Sequence, residues 1–582
     1  MSRRVVKGTV LSRGIAVGKP HLLSVCHLDE VERKRTTKSV EREILRYQKA
    51  ISKSIIDVET LQKQLKKECA HAGVAVLETH KQMLKDPLIT DVVEEEIRKS
   101  KNSGLTVLNG LIEEYRERFR SLKDPIIAER FRDIQDVADR VRNHLRRRDR
   151  LCLNQFGEEL IIFAHEVTPT DVAEMRKDEV LAIVTKEGTV TSHAAIIAKA
   201  KGIPFISNLT FTDEEIFVAK EVVVDATKGE LIILPTKLER TKYFSQKERL
   251  FAYKEALEHE EISSVTQDGK EIGLSLNVDS PFDLKEKTKQ QCCGVGLFRT
   301  EFLLKSDGVE VDEEEQTIVY EDLLRAFDKK PVVIRLFDFG GDKELPARLL
   351  KKEINPAMGC RAIRLLLQEK LMLKKQLRAI YRAAKAGIPK ILLPMITTLS
   401  EVDEVNVIID EVIKELRKEG HKVRKRLPLG CMVEVPTIAL LADLVAKRVD
   451  FLSIGTNDLT QFVMGADRAN SEVSHLYTSH HPSILRLIGY IASEANKRRL
   501  PLSICGEIAA DPRFTPLLIG LGLSELSMHE NAFASVRHLI SQITKKEAQS
   551  LAKKALRLAE ASEVEELCLD FYRSKCPEDQ TY

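Results

Sequence analysis

Residues 450–458 read Asp-Phe-Leu-Ser-Ile-Gly-Thr-Asn-Asp, a short apolar segment that runs into a glycine and then into polar residues. A segment of this kind is typical of a buried parallel strand. A helical pattern follows, and the succession of strand and helix recurs across residues 263–582. The other strand candidates are 271–277, 294–298, 331–337, 391–395, 428–434, 501–505 and 524–527. Eight strands alternating with helices predict a (β/α)8 barrel of the TIM type.

Polar residues gather where these predicted strands end, which is where TIM barrels carry their functional groups. The residues selected by this rule are Arg299, Arg335, Glu434, Asn457, Asp458, Cys505 and, in a following loop, Arg468. Arginine forks bind phosphate and carboxylate, and two carboxylates beside a phosphate suit Mg2+. Taken alone, an arginine or glutamate at a strand end is more often a solvated or salt-bridged side chain, and a cysteine such as Cys505 is more often a small buried one. Their convergence favours a site for a small, doubly anionic phosphate ester bound with a metal.

The N-terminal half predicts a small α/β domain interrupted by helices. Residues 5–24 are β-rich, whereas residues 28–149 carry apolar side chains at helical spacing, as in the stripe Ile126, Phe131, Ile134, Val137, Val141 and Leu145. Strands return at 160–164, 180–185 and 221–226, with a helix at 193–201 and a segment from Asp171 that Thr170 could cap. Because the strands of 5–24 have no other partners nearby, we infer that the helical segment is inserted into the α/β domain. The charged stretch 236–262 predicts a solvated linker helix.

A second candidate site precedes the predicted helix 193–201, in the stretch GTVTSHAAIIAK at residues 188–199. Thr191 and Ser192 can cap the helix, which leaves His193 in its first turn. Free N–H groups and the helix dipole favour an anion there, and a phosphorylated imidazole is such an anion. The spacing alone is equally consistent with a partly buried histidine at a helix start.

Composition excludes several classes of protein. The 582 residues are 43% hydrophobic and 31% charged, and Lys+Arg 92 nearly balance Asp+Glu 89, which argues against nucleic acid or an anionic membrane as the main partner. The sequence has no apolar window of about 18 residues, so no transmembrane helix is expected. The basic N-terminus is not followed by the apolar core of a signal peptide. Ten scattered cysteines without a CxxC pair favour reduced thiols in the cytoplasm.

Several stretches together resemble enzyme I of the bacterial phosphotransferase system, the phosphoenolpyruvate-protein phosphotransferases. The resemblance covers nearly the whole chain, and its longer strings are highly specific. The stretches are GIAVGK at 14–19, TSH at 191–193, GVGLFRTEFL at 294–303, DFGGDKELP at 338–346, NPAMGCRAIR at 355–364, MVEVP at 432–436, FLSIGTNDLTQ at 451–461, ADR at 466–468 and SICGE at 503–507.

The resemblance implies a fold and a division of the chain. The expected architecture is multidomain α/β, with a swivelling phosphohistidine domain, an inserted helical subdomain and a C-terminal TIM-type barrel. The implied parts are the phosphohistidine domain (1–27 and 150–235), the helical subdomain that binds the carrier protein HPr (28–149), a linker helix (236–262) and the phosphoenolpyruvate-binding and dimerisation barrel (263–582).

The resemblance also implies a role for each candidate residue. Arg299, Arg335, Asn457, Asp458 and Arg468 would bind phosphoenolpyruvate, with Mg2+ held by Glu434 and Asp458. Nε2 of His193 would attack phosphorus, and Cys505 would protonate the resulting pyruvate enolate, for which a thiol of pKa ~8.5 is suited. HPr would then take the phosphoryl group on its own histidine in the first step of sugar transport. The family is cytoplasmic and dimerises through the barrel.

The chain departs from the family at three places. Thr189 and Val190 replace the usual Gly-Arg before the histidine motif, Lys199 replaces an arginine, and residues 529–534 differ from the family's Ser/Ile/Pro-rich continuation. The first of these puts the transfer rate, or the acceptor, in question.

Two alternatives follow. A nucleotide-dependent pyruvate dikinase or phosphoenolpyruvate synthase would need a large nucleotide-binding domain, and the sequence has no P-loop pattern. A regulatory protein without turnover is favoured only by the altered histidine loop.

Overall fold

The computed structural model describes residues 3–579 apart from 24–38, 68–70, 88, 121–124, 147–157, 177, 189–191, 260–262, 279–285, 304–310, 341–354, 424–425, 469 and 471–472. The chain forms two units, one reaching to Ala252 and the other running from Tyr253 to Asp579. Their secondary structure confirms the predicted multidomain α/β class.

The first unit is built on an eight-stranded sheet of order β1-β8-β7-β3-β4-β5-β6-β2. Its N-terminal strands pair with strands that come after the helical segment: β1 with β8, β2 with β6, and β3 with both β4 and β7. This pairing confirms that the helices are inserted between β3 and β4. The strands are β1 (Arg4–Lys7), β2 (Thr9–Ser12), β3 (Ile15–Leu22), β4 (Leu160–Ala164), β5 (Val180–Thr185), β6 (Phe205–Ser207), β7 (Val222–Asp225) and β8 (Glu230–Ile233).

In its described residues the insert has five helices, whose apolar stripes meet in one core. Ile44, Ile51, Leu61 and, on the last helix, Val137 and Val141 are buried together. The helices are α1 (Val40–Lys67), α2 (His71–Met83), α3 (Asp91–Ser100), α4 (Gly104–Arg120) and α5 (Pro125–Arg146).

Three short helices, α6 (Pro169–Glu174), α7 (His193–Lys201) and α8 (Asp213–Val218), lie among the later strands of this unit. The prediction that Thr170 caps α6 was wrong. Thr168 is the cap: its hydroxyl accepts from the backbone N–H of Asp171, and the Asp171 carboxylate accepts from the N–H of Thr168. Pro169 then occupies the first helical position, where a missing N–H costs nothing. Thr170 is instead buried and accepts a hydrogen bond from Arg140.

A single helix, α9 (Lys237–His259), occupies most of the charged stretch 236–262. It is not solvated all round, because Tyr243, Leu250 and Leu257 are buried. The boundary between the two units falls within this helix, after Ala252.

The second unit is a closed barrel of eight strands that follow one another in chain order. All pairs are parallel, and the last strand pairs with the first, so the predicted barrel is confirmed. The strands are β9 (Gly273–Val278), β10 (Val295–Phe298), β11 (Pro331–Arg335), β12 (Ile388–Leu393), β13 (Leu429–Val433), β14 (Phe451–Ile454), β15 (Leu502–Ile504) and β16 (Glu525–Met528).

Helices cover the barrel, and two more follow its last crossover. Among the helices that the structure describes, none combines the length and apolar character needed to cross a bilayer. The helices are α10 (Glu286–Gln291), α11 (Glu313–Ala326), α12 (Ile363–Gln368), α13 (Lys370–Ala383), α14 (Leu399–Lys418), α15 (Pro436–Leu440), α16 (Ala442–Val445), α17 (Thr456–Met464), α18 (Pro482–Lys497), α19 (Thr515–Gly520), α20 (Glu530–Gln542), α21 (Lys545–Ala555) and α22 (Ala561–Lys575).

Candidate active site

The carboxyl ends of the barrel strands enclose a cavity of about 490 Å3. The cavity is lined by all seven barrel residues selected from the sequence: Arg299, Arg335, Glu434, Asn457, Asp458, Arg468 and Cys505. Each follows or ends a strand, except Arg468, which follows α17. The structure therefore brings these residues together at one mouth. His193 belongs to the other unit.

Arg335 is buried at the end of β11 and surrounded by carboxylates. It donates to Glu301, its Nη1 lies 3.3 Å from Asp338, and the same nitrogen lies 3.9 Å from the sulfur of Met432. Burial alone would lower the pKa of this guanidinium, but Glu301 and Asp338 outweigh burial and raise it. Arg335 is therefore a permanent positive charge in the cavity wall.

A second buried arginine, Arg361, was not singled out as a site residue from the sequence. Its guanidinium donates to both oxygens of Asp338 at 3.0 and 3.1 Å and to Asp458 at 3.4 Å. Burial opposes the charge, but Asp338 and Asp458 raise the pKa of Arg361. Arg361 thereby fixes the orientation of Asp458. Arg361 follows no strand, so the strand-end rule could not select it. The sequence indicated it only through its place in the stretch NPAMGCRAIR at 355–364, which resembles the family.

The two carboxylates predicted to hold a metal lie close to other negative charge. Burial and the neighbouring Asp458 and Asp338 raise the pKa of Glu434 well above its usual range, although the backbone N–H of Met395 donates to its Oε1 at 2.6 Å. Oδ1 of Asp458 is buried and accepts no hydrogen bond from the described residues. Hard oxygens that repel one another in this way fit a divalent cation, which would relieve the repulsion.

The described residues supply only part of a metal shell. Within the described residues no cluster of three or more His, Cys, Asp or Glu side chains has the geometry of a metal site. A site with two carboxylates still suits Mg2+, because this ion keeps several water molecules and binds substrate oxygens directly.

Cys505 is held at the end of β15 by its surroundings. Its Sγ lies 3.5 Å from Ser453 Oγ and donates to the carbonyl of Ile454 at 3.5 Å, while its own carbonyl accepts from Asn277 at 3.1 Å. Burial raises the pKa of the thiol, against a smaller lowering by Ser453 and the arginines. The thiol is thus protonated at neutral pH and can donate a proton.

Asn457 links two sides of the mouth. Its side-chain oxygen accepts from the backbone N–H of Glu507 at 3.1 Å, and its carbonyl accepts from the Tyr477 hydroxyl at 3.1 Å. The loop after β15 and the start of α17 are therefore fixed to each other. Tyr477 is half-buried beside this contact, and this burial raises its pKa to about 12.

In the first unit, His193 lies at the capped start of α7 and contacts a carboxylate. The Ser192 hydroxyl accepts from the N–H of Ala195, as predicted, and α7 begins at His193. Nδ1 of His193, one third exposed, lies 3.1 Å from Asp133 of the insert. Burial opposes ionisation of Asp133, but hydrogen bonds from His193 and His80 prevail and lower its pKa to about 2. Sequence reasoning missed Asp133, because nothing in the local pattern of α5 relates it to a residue 60 positions away.

The departures from the family fall in different places. Thr189 and Val190 lie outside the described residues, as does Thr191, which matches the family. Lys199 is exposed in the last turn of α7. His529 precedes α20, whose first residue, Glu530, accepts from Thr288 at 2.6 Å.

Comparison with known proteins finds one enzyme family along most of the chain. Family models described as PEP-utilising enzyme match in three parts: the N-terminal part over residues 7–130, the mobile domain over 156–229 and the PEP-binding domain over 254–545, where PEP is phosphoenolpyruvate.

Two curated relatives match nearly the whole chain. Phosphoenolpyruvate-protein phosphotransferase of Staphylococcus aureus (strain MSSA476) is 35% identical over 571 residues, which cover 98% of this chain and all of the relative. The Staphylococcus carnosus (strain TM300) protein of the same name is 34% identical over 570 residues, covering 98% and 99%. A solution structure of Enzyme I is 29% identical and covers 42% of this chain and 98% of its own, with a TM-score of 0.34. The chain is thus an enzyme that belongs to the phosphoenolpyruvate-protein phosphotransferase family.

Proposed function

We propose that this enzyme transfers the phosphoryl group of PEP to His193 and then to a histidine of the carrier protein HPr, releasing pyruvate. In this proposal residues 1–27 and 150–235 form the phosphohistidine domain and 28–149 bind HPr. Residues 236–262 link them to residues 263–582, which bind PEP. The reaction is the first step of a sugar phosphotransferase system.

The cavity at the barrel mouth is the observation that carries the proposal. Three arginines, Arg299, Arg335 and Arg468, meet there with an amide, a thiol and four carboxylates, of which Glu434 and Asp458 are the expected metal ligands. PEP is a small molecule with a phosphate and a carboxylate, and arginine forks bind both groups. Substrate positioning and neutralisation of charge account for most of the catalysis of phosphoryl transfer.

Glu434 and Asp458 are proposed to hold the cation, with Mg2+ as the expected ion. The bound ion would neutralise charge on the phosphate and carboxylate oxygens of PEP. Arg361 would keep the Asp458 carboxylate in place, because it donates to that side chain from a fully buried position.

The chemical step uses His193 and Cys505. The lone pair on Nε2 of His193 forms a bond to phosphorus as the bond from phosphorus to the enol oxygen breaks, and the electron pair stays on that oxygen. The resulting enolate takes a proton at its terminal carbon from Cys505, and solvent restores the thiol. The raised pKa of Cys505 keeps this proton available at neutral pH.

Two further properties belong to the same proposal. HPr is expected to bind the helical insert, next to the contact of His193 with Asp133. The enzyme is expected to be a cytoplasmic homodimer that associates through the barrel.

The test is transfer of label from 32P-PEP to the full chain in the presence of Mg2+, with His193→Ala as the paired variant. We expect acid-labile, base-stable label in the wild type, no label in the variant, and release of that label to added HPr. A folded wild type that takes no label would refute the proposal and would favour a regulatory protein without turnover, with Thr189 and Val190 as the first positions to restore to Gly-Arg.

A further inference from the structure

A buried polar cluster lies behind His193 in the helical insert. It consists of His80 on α2 and of Asp133 and Asp136 on α5, and all three side chains are almost completely buried. Asp133 contacts two imidazoles: Nδ1 of His193 at 3.1 Å and Nε2 of His80 at 3.5 Å. One carboxylate therefore connects a histidine of the α/β part with a histidine of the insert.

The other nitrogen of His80 faces Asp136. Nδ1 lies 3.8 Å from Asp136 Oδ2, and it has no hydrogen-bond partner in the part of the chain that the structure describes. Asp136 Oδ2 accepts instead from the backbone N–H of Thr170 at 3.1 Å. Two carboxylates one helical turn apart are costly to bury without donors, and His80 is the side chain that contacts both.

The contact with Asp133 determines which nitrogen of His193 can react. A carboxylate only accepts hydrogen bonds, so Nδ1 of His193 must carry the proton and Nε2 keeps its lone pair. Loss of the carboxylate's orientation would let His193 adopt the other tautomer, in which Nε2 is protonated and cannot attack phosphorus. The same logic makes outer partners of reactive histidines important in other enzymes.

We propose that His80 is a positioning residue for phosphoryl transfer, which donates from Nε2 to Asp133 and thereby holds the carboxylate that fixes the Nδ1–H tautomer of His193. This inference rests on the proposed function, because it assigns His80 a role in the reaction of His193. It gives the helical insert a part in the chemistry in addition to binding HPr. The 3.5 Å separation is at the long end of hydrogen-bond distances, as is common for catalytic hydrogen bonds in unliganded enzymes.

The test uses the full chain labelled with 15N-histidine, and two substitutions of His80. His80→Gln keeps an N–H donor near the position of Nε2, whereas His80→Leu removes it. In the wild type we expect the 15N shifts of unphosphorylated His193 to report Nδ1–H, and those of His80 to report a protonated Nε2. In His80→Leu we expect a mixture of His193 tautomers and about ten-fold slower labelling by 32P-PEP, and in His80→Gln a return of both towards the wild type.

Tyr47→Phe is the matched control for damage to the insert. Tyr47 is buried in the same helices and donates to the carbonyl of Ile89 at 2.6 Å, away from the cluster. Its loss should lower the unfolding temperature without changing the His193 tautomer.

Several outcomes would overturn the inference. These are an unchanged tautomer and rate in His80→Leu, equal losses in both His80 variants with the tautomer unchanged, or an unprotonated Nε2 on His80 in the wild type. The last measurement decides the matter even if His80→Leu does not fold. The tautomers are measured on unphosphorylated protein, so they test the role of His80 even if the wild type takes no label from 32P-PEP. That absence of label would refute the proposed function instead.

Discussion

Gly506 permits the close approach of the two loops that meet at the barrel mouth, and replacing it with alanine should impair the enzyme. The added Cβ would lie 1.6 Å from Oγ1, 2.8 Å from Cβ and 3.1 Å from the backbone N of Thr456. Gly506 has an ordinary φ of −80°, so the effect would come from this collision and not from backbone strain. Thr456 is fully buried at the start of α17, directly before Asn457 and Asp458.

The size of the effect follows from these distances. Rotation of the Thr456 hydroxyl can relieve the contact with Oγ1 but cannot move Cβ. Ordinary contact begins at 3.4 Å, so the two loops must separate by at least the 0.6 Å difference from 2.8 Å, and by 1.8 Å if the hydroxyl stays in place. Misplacement by about 1 Å costs on the order of 100-fold in rate, and overpacking costs about 1–3 kcal/mol of stability. We therefore expect kcat/KM for PEP to fall about 100-fold, since Cys505 moves away from Asp458.

The assay is pyruvate release coupled to lactate dehydrogenase, with PEP and HPr as substrates, beside thermal unfolding. Gly489→Ala is the matched control: a Cβ there meets only Leu521 Cδ2 at 3.4 Å, an ordinary contact, and on α18 the change should stabilise the helix by up to about 1 kcal/mol. Adding Thr456→Ala should restore part of the activity of Gly506→Ala, because it removes the nearest atom. A Gly506→Ala enzyme with wild-type kcat/KM would refute this reasoning.

Four further predictions concern other residues and the division of the chain. Arg361→Lys keeps the charge but loses the guanidinium fork that binds Asp338 and Asp458, so we expect kcat/KM for PEP to fall about 10- to 100-fold. The control, Arg364→Lys, loses only hydrogen bonds to loop carbonyls and to Thr397, so its kcat/KM should change little. Cys505→Ala should lower kcat about 100-fold or more while the Kd for PEP measured by calorimetry stays the same, with Cys568→Ala as the control for a buried thiol elsewhere. The Asp133 carboxylate has a pKa of about 2 in the folded chain against ~3.9 in the unfolded chain. Its contribution to the free energy of unfolding is therefore complete above about pH 4 and is lost as the pH falls towards 2. Urea titrations at different pH should show this loss in the wild type and not in Asp133→Asn. A fragment that ends near residue 260 should exchange phosphoryl with phosphorylated HPr but take no label from PEP, because the arginines of the mouth are absent.

Results that would contradict these predictions are equally specific. They are wild-type kcat/KM in Arg361→Lys, weaker PEP binding without a change of kcat in Cys505→Ala, the same pH dependence in Asp133→Asn as in the wild type, and labelling of the fragment by PEP.

The barrel could be predicted from sequence because its strands are mostly buried and appear as apolar runs between helices. The strands of the first unit were harder to find. Phe205–Ser207 and Glu230–Ile233 were missed because they are three and four residues long and depend on tertiary pairing with β2 and with β1. The cap of α6 was misplaced because two threonines lie near the helix start, and only the pairing of Thr168 with Asp171 distinguishes them.

The residues of the two sites also fall into those that could be predicted from the sequence and those that could not. Residues at strand ends, such as Glu434 and Cys505, could be selected because the barrel fixes where strand ends meet. Arg361, Asp133 and His80 could not, because they reach their partners from a loop and from helices, and the docking of those elements depends on packing that a local pattern does not contain.

The strand pairing also sets an order of events during synthesis on the ribosome. Arg4 pairs with Ile233, and Gly273 pairs with Glu525, so each sheet is completed only when its last strand has been made. At about 5–20 residues per second, β1 waits roughly 10–50 seconds for β8, and β9, which pairs early with β10, waits about as long for its second partner, β16. The insert α1–α5 closes on itself through local contacts and is expected to fold while β1–β3 are still unpaired. Nascent chains of this enzyme therefore present open strand edges before and after a folded helical segment, which makes chaperone binding most useful at these two stages.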